Sequence, residues 1–385
     1  MSLMILFTFM NNFFSMYMYM YMILMNSNFN LSIMMTFMVL MMMKMIFFSL
    51  KEKFLNFFFF GKKTLIKLMT LNLIFFFFAK NYIMFYMYFE LISLNIFFLV
   101  FMSSFSMQRF KASIYIFIFM CMGTFPMLMM FFFLNDQNMV LIFSLGFLIK
   151  IPMLFFHLWL PKAHVEANFY DSMILASLLL KLGGYGLMLM NYSSMMNMLF
   201  IYSMLGMIII SLYTLFCTDM KMILAYSSII HMNGMVLMML SNNMETENMF
   251  TLMMISHSFS SSMMFFMVGM IYEYTYSRNI MINKSTFLNF EMFFMMMFFV
   301  LFANMGTPPF MNFFSEMYMY MSLMNFNNNI LLMVTMMLLL TILFNLILLK
   351  NLSMGTMMKF FKIYNLKMMA MFISLEHLMY MITFM

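Results

Sequence analysis

Residues 145–167 read LGFLIKIPMLFFHLWLPKAHVEA, and the interpretation of the whole chain starts from this stretch. It is an apolar run with Lys150 in its middle and Pro152 two residues later. An ionisable side chain deep in a membrane helix costs at least about 2.5–3.5 kcal/mol, so Lys150 is a functional candidate. Because proline removes a backbone donor and clashes with the preceding turn, Pro152 predicts a broken helix beside the lysine. Many transporters build an ion site at such a break.

The composition identifies the class of protein. The chain is 66% hydrophobic and only 8% charged, and its mean hydropathy is +0.98. Apolar runs of about 20 residues recur from end to end, which predicts an all-α polytopic membrane protein. Cys121 and Cys217 both lie in apolar runs and form neither a disulfide framework nor a metal-ligand spacing. The sequence lacks a nucleotide-binding loop, a haem or iron–sulfur ligand set and a catalytic triad. We therefore expect no redox centre in this chain, no metal and no nucleic-acid partner.

The apolar runs predict about thirteen membrane crossings, each about 20 residues long. Their predicted ranges are 2–25, 29–50, 64–79, 82–103, 110–133, 137–160, 172–190, 196–217, 220–240, 247–272, 285–321, 329–350 and 365–385. We divide them into N-terminal peripheral helices (1–80), a first half (81–215), a second half (216–350) and a C-terminal loop and helix (351–385).

The charges in the loops test this count. If residues 51–63 define a face X, then fifteen Lys and Arg residues lie at face X and one, Lys80, at the opposite face Y. Such a bias marks X as the matrix or cytoplasmic face. The bias also favours one long crossing at 285–321, broken at Pro308–Pro309, over two full helices. Two helices would move the basic cluster at 350–367 to face Y.

Two broken helices are therefore expected, around Pro152 and around Pro308–Pro309. They are the sixth and the eleventh crossings, and five crossings reverse the direction of the chain. Broken helices at matching positions but opposite orientations are typical of transporters with an inverted repeat.

Four ionisable residues are predicted to lie inside the spans and to carry the chemistry: Glu90, Lys150, Lys181 and Glu316. Burial favours the neutral form of such a group, whereas a nearby opposite charge favours its charged form. An acid–base pair in a membrane can therefore switch between its charged and neutral forms, as proton translocation requires. The alternative is that these are static ion pairs that fix helix packing. For Lys181, the surrounding LLKLGGYG also fits a small-residue packing face.

Four histidines are candidates for a proton relay. His231 and His257 lie in spans and are flanked by serines, whose hydroxyls can extend a hydrogen-bonded path. His157 and His164 lie near the X end of the sixth crossing, as entry groups or as interface residues. The alternative for each is a hydrogen-bonded core histidine.

The sequence also resembles a known family. KIPMLFFHLWLPKAHVEA followed by SMILASLLLKLGGYG is similar to the signature of the chain 4 family of NADH–ubiquinone oxidoreductase. These proteins are mitochondrially encoded, antiporter-like subunits of respiratory complex I. Further matches are DMKMILAYSSIIHM, ISHSFSSS and NMGTPPFMNFFSE, so the resemblance extends from about Asn81 to Glu316.

The resemblance implies an antiporter-like bundle of about fourteen helices with two inverted five-helix repeats. It implies a proton pathway in which Glu90, Lys150, Lys181 and Glu316 are the key charged groups and His231 and His257 are channel histidines. It further implies proton translocation across the mitochondrial inner membrane, coupled to NADH oxidation and ubiquinone reduction. NADH, FMN, the iron–sulfur clusters and ubiquinone are then bound by other subunits, and the neighbours are the antiporter-like chains 2 and 5 and membrane lipids.

Two departures from the family pattern are visible. The glutamate helix is the fourth predicted crossing, whereas in the family it is the fifth, and the segment after Glu376 is short.

The alternatives to a complex I subunit are a stand-alone cation/proton antiporter and a purely structural membrane spacer. If the chain is a stand-alone antiporter, the purified chain alone should transport cations. A structural spacer would not need two buried acid–base pairs.

Overall fold

The structure, a computed structural model, describes residues 57–102, 106–130, 140–189, 196–240, 244–286, 291–324 and 330–354. The spans predicted at 2–25, 29–50 and 365–385 lie outside these residues. Within the described ranges the chain is helical, apart from an isolated β-bridge between Asp219 and Asn279. The prediction of an all-α fold is therefore confirmed.

The helices follow the predicted order. The first are α1 (Phe57–Phe78), α2 (Tyr82–Phe101), α3 (Met107–Met130), α4 (Val140–Lys150), α5 (Trp159–Glu166), α6 (Phe169–Ile174), a π segment (Leu175–Leu179), α7 (Leu180–Met188) and α8 (Met196–Phe216). The others are α9 (Met220–Met239), α10 (Met244–Thr275), α11 (Glu291–Asn304), α12 (Met311–Met324) and α13 (Ile330–Ser353). Six of the described helices are long and apolar enough to cross a membrane.

Helix α10 is the centre of the bundle. An 18-residue window within its apolar stretch Glu247–Thr275 is completely buried. It packs against α6, the π segment, α7, α9, α11 and α12. By contrast, α8 and α13 are mostly exposed and present large apolar side chains such as Ile209 and Leu339 to their surroundings, as lipid-facing helices do. The polar side chains of α10 are thus held away from lipid.

The predicted break at Pro152 is present. Helix α4 ends at Lys150, and the chain turns over residues 151–158 before α5 begins at Trp159. The break removes the helical partner of the Ile149 carbonyl, and the indole Nε1 of Trp159 donates a hydrogen bond to that carbonyl at 3.1 Å. A side chain from the second half-helix therefore satisfies a backbone acceptor that the broken first half-helix leaves open.

Replacing Trp159 by phenylalanine is expected to destabilise the protein by about 1–3 kcal/mol, because the buried Ile149 carbonyl loses its donor. Thermal unfolding of the assembled protein in detergent, followed by circular dichroism, measures this loss. The exposed, lipid-facing Ile201 offers a control, since Ile201→Val removes one methylene without touching the break. An equal melting temperature for Trp159→Phe and Ile201→Val contradicts the role of the indole hydrogen bond.

The second predicted break is also present. Helices α11 and α12 have 14 residues each, so each is about 21 Å long and shorter than the roughly 30 Å hydrocarbon core. The backbone N–H of Ser285, before α11, donates to the carbonyl of Asn351, near the end of α13, at 3.3 Å. The start of α11 and the end of α13 therefore lie on the same face. This fits one broken crossing at 285–321, because two crossings would put the two ends on opposite faces.

Contacts among loops indicate that the two broken helices run in opposite directions. The guanidinium of Arg278 donates to the carbonyl of Val165, at the end of α5. Arg278 belongs to the loop that leads into α11, and its own carbonyl accepts a hydrogen bond from the N–H of Met220 at 3.0 Å. The first broken crossing thus ends on the face where the second begins, which is the relation that an inverted repeat requires.

Two helices begin before the apolar spans predicted for them. The apolar stretch Thr64–Phe78 agrees with the span predicted at 64–79, but helix α1 already begins at Phe57 and therefore includes Lys62. The span predicted at 172–190 begins at Phe169 and includes Asp171. Helix α1 thereby includes Lys62 and helix α6 includes Asp171. These two residues pair with each other, and the pair offsets the cost of burying both charges. The division into 1–80, 81–215, 216–350 and 351–385 stays a prediction.

Candidate functional site

Four of the predicted residues form a continuous row across the middle of the bundle, named here the acid–base row: Lys181, His257, His231 and Glu316. Lys181 Nζ lies 2.9 Å from His257 Nδ1. The ring centroids of His257 and His231 are 5.4 Å apart. His231 Nδ1 lies 3.3 Å from Glu316 Oε1. The row connects a helix of the first half with the broken crossing of the second.

The acid–base row is buried throughout. The exposed fractions of Lys181 and His257 are 2% each, and those of His231 and Glu316 are 6% each. Four separate helices supply these residues: α7, α10, α9 and α12. Isolated charges at such a depth are costly, so the contacts between the four side chains are what makes their burial possible.

The serines near His257 donate hydrogen bonds to their own helix. The hydroxyls of Ser256, Ser258 and Ser260 donate to backbone carbonyls one turn earlier on α10. The Ser260 hydroxyl also accepts a hydrogen bond from Asn312 at 3.5 Å. A part for these hydroxyls in a proton relay stays a prediction.

A π-helical turn positions Lys181. The hydrogen-bond pattern widens over Leu175–Leu179, just before α7. Lys181 Nζ donates to the carbonyl of Ala176, inside this segment, at 2.8 Å. π turns disturb the regular backbone pairing and occur often at functional sites. The ammonium is thereby held between one backbone carbonyl and the ring of His257.

The small residues after Lys181 do form a packing face, as the alternative interpretation predicted. A Cβ atom on Gly183 would lie 2.8 Å from Ile151 Cγ1 and 3.0 Å from the Phe147 carbonyl oxygen. Helix α7 therefore approaches α4 closely, beside the break at Pro152. The packing face and the functional face coexist, because Gly183 faces α4 whereas Lys181 faces α10.

Lys150 contacts the helix that carries Glu90. It is 1% exposed, and its Nζ donates to the carbonyl of Phe89 at 3.0 Å. The same nitrogen lies 2.9 Å from the centroid of the Phe89 ring, a cation–π contact. Glu90 is the next residue; its Oε2 accepts a hydrogen bond from Ser93 at 3.4 Å. Direct pairing of Lys150 with Glu90 stays a prediction.

The loop of the second break lies against Glu316. Gly306 has a φ of +63°, and a Cβ atom at this position would overlap the Glu316 carboxylate. At the break, the backbone of Gly306 therefore lies directly against Glu316, the last member of the acid–base row. Only glycine accepts both the left-handed conformation and this close approach at low cost.

The two remaining predicted histidines differ in their positions. His164 is buried, and its ring stacks on Phe265 with a centroid distance of 4.5 Å. His157 is half-buried in the turn between α4 and α5, and its Nδ1 has no hydrogen-bond partner among the described residues. The structure thus buries His164 against Phe265 and leaves His157 half-buried in the turn between α4 and α5.

The sequence analysis missed one buried ion pair. Lys62 Nζ on α1 lies 3.0 Å from Asp171 Oδ2 on α6, and the two side chains are 9% and 4% exposed. From the sequence, Lys62 is only one of the fifteen basic residues at face X, and Asp171 lies one position before the span predicted at 172–190. With the helix starts that the structure shows, both charges lie inside helices, where each buried charge needs a partner.

The part of the chain described by the structure contains no group of three or more His, Cys, Asp or Glu side chains that could hold a metal ion. A helical bundle with two broken crossings and a buried row of lysine, histidine and glutamate defines the class of antiporter-like membrane proteins.

Comparisons with known proteins agree with this class. The family model described as NADH:quinone oxidoreductase/Mrp antiporter, TM, matches residues 79–343. NADH-ubiquinone oxidoreductase chain 4 of Rhipicephalus sanguineus is 31% identical over 78% of this chain and 74% of the relative. The protein of the same name from Apis mellifera ligustica is 32% identical over 86% of this chain and 79% of the relative. The chain therefore belongs to the NADH-ubiquinone oxidoreductase chain 4 family.

A solved structure has the same fold. One chain of respiratory complex I from Thermus thermophilus with bound NADH superposes with a TM-score of 0.81 at 17% sequence identity. The superposition covers 91% of this chain and 80% of that chain. The predicted antiporter-like fold is thereby confirmed.

Proposed function

We propose that this chain is a proton-translocating subunit of the membrane arm of respiratory complex I, and that the acid–base row carries the protons. The observation that supports this most directly is the succession of neighbouring side chains from Lys181 to Glu316. Lys181 lies within hydrogen-bond distance of His257, the rings of His257 and His231 are 5.4 Å apart, and His231 lies 3.3 Å from Glu316. His231 Nε2 has no hydrogen-bond partner among the described residues. Each member of the row can accept and release a proton, and each faces the next.

The proton path follows from the chemistry of the imidazole ring. Lys181, in its ammonium form, donates to His257 Nδ1 at 2.9 Å. As one ring nitrogen accepts a proton, the other can release one, so each transfer regenerates a neutral imidazole in the other tautomer. The charge then passes to the ring of His231, whose Nδ1 faces Glu316 Oε1 at 3.3 Å. Glu316 takes up the proton and becomes neutral, which removes its attraction for the next positive charge.

The energy for this movement comes from reactions in other subunits. NADH, FMN, the iron–sulfur clusters and ubiquinone are bound there, and the coupling reaches this chain through changes in charge at its edges. Glu90 is suited to receive such a signal, because its side chain is partly exposed on α2 while Lys150 contacts the residue before it. The neighbouring antiporter-like chains 2 and 5 and the lipids of the mitochondrial inner membrane surround this chain.

Replacing His257 by leucine is expected to stop proton transfer along the row. Loss of a positioned acid–base group slows proton transfer by about 10²–10⁴-fold. Leucine fills the buried site with an apolar side chain of similar size, so the helices stay packed. The measurement is NADH-driven proton uptake by the assembled complex reconstituted in vesicles. Assembly is checked on native gels.

Met254→Leu is the matched control, because Met254 is a buried apolar residue of the same helix and its exchange leaves the acid–base row intact. Undiminished proton uptake with His257→Leu contradicts the proposed function. Cation-coupled proton exchange by the purified chain without its neighbours would establish the stand-alone antiporter instead.

A further inference from the structure

Each of the two broken crossings is closed by a side-chain donor. At the first break, Trp159 Nε1 donates to the carbonyl of Ile149 at 3.1 Å. At the second break, Asn312 Nδ2 donates to the carbonyl of Ala303 at 2.9 Å. In both crossings the donor lies at the start of the second half-helix, and the acceptor is the last residue but one of the first half-helix. The two halves of the molecule thus share one arrangement, with an indole in the first and an amide in the second.

The amide of Asn312 also reaches the helix that carries His257. Its Nδ2 lies 3.5 Å from Ser260 Oγ on α10, and the Ser260 hydroxyl donates to the carbonyl of His257 at 3.2 Å. An amide nitrogen offers two hydrogens, so the same group can bond the end of α11 and contact α10. Asn312 therefore joins α12 to both α11 and α10, beside the acid–base row.

Asn312 shares a face of α12 with Glu316. Four positions separate the two residues, and residues at this spacing are neighbours on a helix surface, one turn apart. Both are buried, with exposed fractions of 4% and 6%. Glu316 Oε1 lies 3.3 Å from His231 Nδ1, at the end of the row. The rotation of α12 that suits the contacts of Asn312 is thus the rotation that places Glu316 beside His231.

The amide of Asn312 is only half satisfied. Its Oδ1 is buried and has no hydrogen-bond partner among the described residues. The amide gains nothing by turning around, because the Ala303 carbonyl accepts hydrogen bonds and cannot donate one. A buried acceptor without a partner is costly, and an apolar side chain of similar shape would avoid that cost. Packing alone therefore does not account for an asparagine here, whereas a need for its donor nitrogen does.

We propose that Asn312 is a positioning residue of the acid–base row, which holds α12 in the rotation where Glu316 faces His231. This inference rests on the proposed function of the row and adds the residue that sets its last contact. Asn312 takes up no proton itself. Its hydrogen bond closes the second break, and the loop of that break then lies with Gly306 against the Glu316 carboxylate. The alternative is an amide that only stabilises the break.

Replacing Asn312 by leucine tests the proposal in the assembled complex, reconstituted in vesicles. Leucine fills the buried site but donates no hydrogen bond, so Glu316 is no longer held beside His231. We expect NADH-driven proton uptake to fall by about 10²-fold, at the low end of acid–base effects. The pH profile of the remaining uptake should shift, because the Glu316 carboxyl has lost a close partner. A merely structural role lowers the yield of assembled complex and leaves the pH profile of that complex unchanged.

Asn312→Asp tests the donor itself. An aspartate side chain has nearly the shape of asparagine, but it donates a hydrogen bond only while its carboxyl is protonated. The protonated form can replace Nδ2 on the Ala303 carbonyl. Positioning therefore predicts that uptake by Asn312→Asp, taken as a ratio to the wild-type rate at each pH, falls towards the leucine level as the pH rises. A ratio that stays flat across the pH range overturns the proposal, also where the leucine variant does not assemble.

Asn345→Leu is the matched control. Asn304 Nδ2, at the end of α11, donates to Asn345 Oδ1 on α13 at 3.2 Å, and both residues are buried. This variant removes an amide hydrogen bond at the same break but keeps the bond from α12 to Ala303. Positioning predicts a shifted pH profile with Asn312→Leu and an unchanged profile with Asn345→Leu.

Wild-type uptake with an unchanged pH profile in Asn312→Leu overturns the proposal, and so do equal effects of the two leucine variants. The outcome for His257 separates this proposal from the proposed function. If His257→Leu abolishes uptake while Asn312→Leu does not lower it, only the positioning role falls. If neither variant lowers uptake, the acid–base row falls as well.

Discussion

Replacing Lys150 by alanine is expected to abolish proton translocation coupled to NADH oxidation while the complex stays assembled. Lys150 ends the first half-helix, and its ammonium reaches the Phe89 carbonyl at 3.0 Å, one residue before Glu90. Alanine is the best helix former, so α4 persists. The substitution removes the positive charge beside Glu90, and the switch between these two groups is lost.

Lys150→Arg is the informative companion variant. Guanidinium keeps the charge and the hydrogen-bonding capacity but cannot release a proton in a protein. If Lys150 acts by changing its protonation, arginine fails as alanine does; if Lys150 only holds α4 to α2, arginine preserves proton translocation. The measurement is proton translocation by reconstituted complexes, with assembly checked on native gels. Normal translocation by an assembled Lys150→Ala complex would reduce Lys150 to a structural residue.

Replacing Gly306 by alanine is expected to interrupt the acid–base row at its other end. The added methyl group would overlap the Glu316 carboxylate, so that side chain has to leave its position beside His231. The left-handed conformation at φ +63° adds a cost of roughly 1–2 kcal/mol for any residue with a Cβ atom. We expect proton uptake to fall by about 10²-fold, as for loss of a positioned acid–base group.

Gly61→Ala is the matched control for this variant. Gly61 lies in α1, and a Cβ atom there would make only an ordinary contact, 3.9 Å from Met102 Sδ. Alanine favours a helix over glycine, so Gly61→Ala should leave proton uptake unchanged. A structure of the Gly306→Ala complex in which Glu316 still contacts His231, together with normal uptake, contradicts the prediction.

Local chemistry was sufficient to predict the breaks and most of the site. Proline removes a helix hydrogen bond, and the end of α4 at Lys150 agrees with the break predicted from Pro152. Proline alone does not decide a break, because Pro126 lies inside the continuous helix α3. The cost of burying charge identified Lys181 and Glu316 as residues that need partners. The order of contacts was beyond such reasoning, because Lys181 meets His257 across 76 positions of chain.

The features that were missed depend on tertiary structure. Lys62 and Asp171 attract attention only when α1 and α6 are packed together, since each alone resembles a loop charge. The contact between Gly306 and Glu316 arises from the path of the chain through the second break. The π segment reads LASLL, an ordinary apolar sequence with no local feature that predicts a widened turn. Its presence is decided by the helices on either side.

The π segment makes the length of this part of the chain as important as its composition. Each residue turns an α-helix by about 100°, and a π turn accommodates a residue more than an α turn does. The extra residue sets the rotation of α7, so that Lys181 faces α10 while Gly183 faces α4. Individual side chains within Leu175–Leu179 can be exchanged for others of similar size. A lost or gained residue would instead turn Lys181 towards a different neighbour and Gly183 and Gly186 away from Phe147 of α4, although every residue type of the site is still present.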